Sequence, residues 1–120
     1  MKELRRVGFF KELGHGDKEA ESLFASLGKL PASLTSKSAD YLDAGKWLFI
    51  SPGFSTDVIS DERKKIGTLG VQTDGDWAWP SDLGYYVRTY SVDLPSDFVR
   101  HLRTREWEIP DIRLEELELP

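Results

Sequence analysis

Cysteine and asparagine are both missing from this 120-residue chain. Without cysteine there is no disulfide framework, no thiolate zinc site and no cysteine nucleophile. Without asparagine there is no acceptor for N-glycosylation. Histidine is scarce, with only His15 and His101, which lie too far apart in sequence to form a metal-ligand motif. No apolar run approaches the roughly 20 residues needed to cross a bilayer. The short run Val7-Gly8-Phe9-Phe10 is cut by its glycine and ended by Lys11, so it does not read as an export signal. These absences predict a cytoplasmic domain that meets no membrane and carries no cofactor and no metal.

A surplus of basic charge is lacking as well. The formal net charge is −5, and the segment from Glu106 onward supplies all of it, with six acids against Arg113 alone. The rest of the chain balances, so no general attraction to phosphate backbones is built in and nucleic-acid binding is disfavoured. What is present suffices for one core: 39% of the residues are hydrophobic and the length is that of one ordinary domain. The reading is therefore a single domain over residues 1–120, with an acidic segment 106–120 that either docks or frays.

Turn signals divide the chain. Asp17 is a candidate cap for a helix over Lys18–Leu27, with Leu23, Phe24 and Leu27 at helical spacing and Gly28 as its stop. Leu30 to Thr35, containing Pro31, reads as a linker, followed by a short helix capped by Ser36 or Ser38 and ended by Gly45. The apolar run Trp47-Leu48-Phe49-Ile50 predicts a central strand buried on both faces. Ile66–Thr73 and Asp76–Trp79 flank Asp74-Gly75, which predicts a hairpin with a type I′ turn on that pair. Pro80-Ser81-Asp82 opens a helix with Leu83, Tyr86, Val87 and Tyr90 inward, and Leu94-Pro95-Ser96-Asp97 opens another through Arg105. The order predicts an α+β fold: a small antiparallel β-sheet with a central strand and a hairpin, and helices packed on one face.

The sequence holds no complete catalytic set. Gly53-Phe54-Ser55-Thr56-Asp57 lacks the second glycine of a nucleophile elbow, and Gly45-Lys46 lacks the rest of a phosphate loop. Asp74 and Asp76 are explained by turn chemistry before metal binding. His15, between two glycines, could serve as an acid or base, and with Asp17 and Asp76 it defines an alternative reading as a small hydrolase or a sugar- or small-ligand-binding protein. Four large aromatics stand within Trp77–Tyr86. Trp77 and Trp79 share one strand face, and Tyr85 points away from the inward stripe of its helix. Either these rings are core, or part of the set is exposed as an anchor for a protein partner.

The segment Trp77-Ala78-Trp79-Pro80-Ser81-Asp82-Leu83-Gly84-Tyr85-Tyr86-Val87, with its continuation to His101, resembles a family of small bacterial proteins that share a Trp-x-Trp-Pro-x-Asp-Leu-x-Tyr-Tyr-Val pattern. Val7-Gly8-Phe9-Phe10 and Gly14-His15-Gly16-Asp17 fit the same resemblance, which brings no established activity. In size, acidity and aromatic content the chain is also similar to immunity proteins that neutralise bacterial toxins, a likeness of type and not of motif. The expectation is a non-enzymatic interaction domain, immunity-type inhibition being one form of it. Trp77, Trp79, Tyr85, Asp76 and His15 are its candidate binding residues, and a homo-oligomer that hides the aromatic surface is a further arrangement.

Overall fold

In the computed structural model, which describes residues 2–118, the chain forms eleven short elements in sequence order. They are β1 (Lys2–Glu3), β2 (Arg5–Arg6), α1 (Leu23–Ser26), α2 (Ala32–Asp43), β3 (Lys46–Thr56), β4 (Lys65–Thr73), β5 (Trp77–Pro80), α3 (Leu83–Tyr90), α4 (Ser96–Thr104), a 3₁₀ turn (Leu114–Glu116) and β6 (Leu117–Glu118). The architecture is α+β. Four strands form one sheet in the order β2-β5-β4-β3, and β1 pairs with β6 in a second, two-stranded sheet. No helix among the described residues is long and apolar enough to cross a membrane.

The larger sheet is an antiparallel meander β3-β4-β5 to which β2 adds in parallel, pairing Arg5 with Trp77 and Arg6 with Ala78, so the sheet is mixed. This corrects the placement of Trp47–Ile50. Their strand is an edge, and β4 and β5 occupy the centre. A short apolar run marks a strand without marking its position in the sheet. The other edge, β2, has only Arg5 and Arg6 and offers no strand pattern to read.

Trp77 and Trp79 project from β5 onto the helical layer. Trp79 is fully buried, its Nε1–H donating to the carbonyl of Leu42 in α2 at 3.1 Å, and its ring lies 5.9 Å from Phe98 of α4. Trp77 meets the same Phe98 at 4.9 Å. Tyr41, Leu42, Leu83, Tyr86 and Leu102 complete the main core. On the opposite face Leu4, Phe9, Val71 and Ala78 form a smaller cluster, with Leu48 and Ile112 packed against it.

Three local expectations are corrected. The first helix is a single turn capped by Ser22, whose Oγ accepts from Ala25 N, while Asp17 pairs with Arg6; Phe24 is exposed. The second helix starts at Ala32, because Pro31 at φ −56° is already set for the first turn. The hairpin turn is centred on Gly75-Asp76, since Thr73 pairs with Ala78. Gly75 takes φ +98° and Asp74 has no positive φ, so the pair of positive φ values of a type I′ turn on Asp74-Gly75 is not formed. The acidic segment docks at least in part: β6 pairs with β1, and Ile112 reaches the smaller cluster.

Candidate functional site

Three buried carboxylates organise the polar interior. Asp74, fully buried, receives the Tyr41 hydroxyl at 2.6 Å and His101 Nε2 at 2.7 Å on Oδ2, while Oδ1 accepts from Asp76 N and Trp77 N. A carboxylate only accepts here, so Nε2 of His101 carries the proton. Burial, and then Asp74 beside it, push the Tyr41 hydroxyl far up from its ordinary value. Asp76 binds Arg105. Asp74, Asp76 and His101 hold ligand atoms within 4.8 Å of one another. The Arg105 guanidinium on Asp76 and the full set of hydrogen bonds on Asp74 fit a lock between the hairpin, α2 and α4 better than a cation cage.

Asp57 is the second. It is 1% exposed and holds the hydroxyls of Tyr85 and Tyr90 on Oδ2 at 2.7 and 2.6 Å, with Ile59 N and Ser60 N on Oδ1. Burial raises its pKa, but the hydrogen bonds from Tyr90, Tyr85, Ser60 and Ile59 outweigh this and hold the carboxyl below its ordinary value. The same bond pushes Tyr90 up to about 12. Tyr86 donates to Thr56 O and accepts from Val58 N. Three tyrosines of α3 thus fasten the turn between β3 and β4.

Asp82 is the third. It accepts from Ser55 Oγ at 2.5 Å on Oδ2, and His15 Nε2 lies 3.0 Å from the same oxygen, off the hydrogen-bonding direction. Its Oδ1 is buried and has no hydrogen-bond partner among the described residues. Serine hydrolysis needs serine bound to histidine and histidine to carboxylate. Here Ser55 binds the carboxylate, so that chain is not formed. His15 lines two clefts, of about 170 and 290 Å³.

The residues singled out in sequence therefore separate. His15 lies against Asp82, Asp17 pairs with Arg6 and Asp76 with Arg105. Trp77 and Trp79 are 4% and 0% exposed, so the exposed form of the aromatic platform does not hold for them. Tyr85 is half-buried, stacked edge-on against Tyr86 and Tyr90, with its hydroxyl given to Asp57.

The exposed aromatic surface lies elsewhere, on β3. Trp47, Phe49, Ile50 and Phe54 are all exposed, Ile50 and Phe54 by more than 60%. β3 is eleven residues long and, among the described residues, pairs only with β4, so its outer edge faces away from the sheet. Bulges set this display: the ladder shifts register between Trp47 and Phe49 and again between Ile50 and Phe54, around Pro52-Gly53. Leu48 and Phe49 thereby stand together opposite Val71, while the Trp47 ring reaches Gly70, where a Cβ would stand 2.7 Å from it. Lys65 covers the Phe54 ring at 4.4 Å. Beside Phe49 the 170 Å³ cleft is floored by Phe9, Leu69, Val71 and Pro80. The apolar run was visible in sequence; its place at an open edge was not. Comparison of the chain with protein-family models, with curated proteins and with solved structures returns no match.

Proposed function

We propose that this chain is a non-enzymatic protein-interaction domain that receives its partner along β3. The observation that carries the reading is the contrast between the two edges of one sheet. β2 is two residues long, both arginine, with Arg5 tied to Asp97, the short and charged form that discourages pairing. β3 is long and displays four large apolar side chains. Such an edge invites association unless it has a use. No nucleophile, base and orienting group stand in hydrogen-bonded series among the described residues, which favours binding over chemistry. A cytoplasmic setting belongs to the same proposal, supported by the absence of cysteine.

The test is affinity capture from host lysate with wild type and an Ile50→Lys, Phe54→Lys double variant, both checked by circular dichroism. Both positions are exposed, so the variant is expected to keep its fold. A partner retained by wild type and lost by the variant supports the reading. Identical captures by two folded proteins would remove β3 from it.

A second reading as a small-ligand-binding protein is favoured by one observation, the His15–Asp82 contact between two clefts. A cleft of about 290 Å³ is at the lower bound for ligand pockets, which run about 300–1,000 Å³. A ligand found by thermal-shift screening that stops stabilising the His15→Ala variant would support it; no shift from any ligand would remove it.

A further inference from the structure

We infer that the partner of β3 is an extended segment of another protein, acidic residues alternating with apolar ones, which adds to the edge as a further strand over Lys46–Ser51. The inference rests on the interaction reading above and names the chemistry of the partner.

Three features of the surface carry it. The first is area. Large apolar side chains expose about 150–250 Å² each when free, so the exposed parts of Trp47, Phe49 and Ile50 amount to roughly 300 Å². That is well under half of the roughly 800 Å² that one side of a stable interface needs. Side-chain contact alone falls short, and main-chain pairing along an open edge is the available supplement.

The second is length. Pro52 has no N–H to offer, Gly53 sits at φ +110°, and the ladder breaks register between Ile50 and Phe54. An added strand therefore ends near Ser51, leaving about six residues, the usual strand length. The cleft beside Phe49, at 170 Å³, is below the size of a ligand pocket and suits a single apolar side chain of the incoming strand.

The third is charge. The chain as a whole is acidic, yet β3 and β4 hold Lys46 and Lys65 and no acidic residue. A second copy of the chain pairing through β3 would bring no acidic residue to meet Lys46 and would meet the same proline. An acidic segment gains attraction at its Lys46 end, and alternation places its apolar residues on one face.

The test uses three labelled synthetic peptides: alternating leucine and glutamate, alternating leucine and lysine, and the glutamate peptide with N-methylated backbone amides. Binding is read by fluorescence anisotropy, and location by amide hydrogen exchange of the full chain. The glutamate peptide should bind at least about tenfold more tightly than the lysine peptide, slow exchange within Lys46–Ser51 and weaken as salt rises. N-methylation should abolish binding, and the Lys46→Glu, Lys65→Glu variant should reverse the preference between the first two. Equal binding of both charged peptides, binding unaffected by N-methylation, no binding, or a concentration-dependent dimer lost in Phe49→Lys would each overturn the inference. Lysate capture that still depends on Ile50 and Phe54 would leave the interaction reading standing in those cases; its loss would remove both.

Discussion

Removing the Asp57 carboxylate should loosen the turn between β3 and β4 and cost a sizeable part of the stability of the fold. In Asp57→Ala four donors lose their acceptor: Ile59 N, Ser60 N and the hydroxyls of Tyr85 and Tyr90. A hydrogen bond to a charged group is worth about 1.5–3 kcal/mol net when buried. The tyrosines are half-buried and can turn to water, so their share is discounted, and the sum is about 3 kcal/mol. Domains of this size hold about 5–15 kcal/mol in total, so the variant folds with a clearly lower midpoint in urea. Asp57→Asn, which keeps the acceptor for the two backbone N–H groups, should lose less, about 1–2 kcal/mol. The pH dependence follows from the direction of the shift. Asp57 titrates below its ordinary 3.8 when folded, so its contribution is full above that value and disappears as the pH falls through the lower, native one. The gap between wild type and Asp57→Ala should therefore be constant through neutral pH and close only in strong acid. A loss under about 1 kcal/mol at neutral pH, or a gap that closes well above 3.8, would refute the assignment of this carboxylate as the clamp.

Trp79→Ala, which empties the centre of the core and removes one of the two donors to the Leu42 carbonyl, Gly45 N remaining, should cost about 3–5 kcal/mol in denaturant unfolding. Gly70→Ala places a Cβ 2.5 Å from the Phe49 carbonyl and 2.7 Å from the Trp47 ring. It should cost about 1–3 kcal/mol and shift the Trp47 ring, read as changed tryptophan emission.

The parts of the fold that rest on local chemistry were legible in the sequence. Pro80-Ser81-Asp82 and Leu94-Pro95-Ser96 do open α3 and α4, which run Leu83–Tyr90 and Ser96–Thr104, and the hairpin forms within one residue of its expected turn. What was not legible depends on distant partners. The turn slipped by one because the Asp74 carboxylate takes the N–H groups of Asp76 and Trp77, which leaves Gly75 as the first central residue. The sheet order was hidden because β2 is two arginines whose pairing with β5 has no periodic signal. Trp47–Ile50 illustrates the limit best: continuous apolarity is shared by a buried central strand and by this exposed edge strand, and only the neighbours tell them apart. Among the candidate residues, the doublet Tyr85-Tyr86 with Tyr90 announced a cluster, but its target, Asp57, lies 28 and 33 residues away from Tyr85 and Tyr90.

The most direct test of the central claim is amide hydrogen exchange on the complex formed with the captured partner, compared with the free chain. Slowed exchange is expected in Lys46–Ser51 at the open edge of β3, with the helices α3 and α4 unchanged. Protection confined to Trp77–Tyr90, or an unchanged β3, would contradict it.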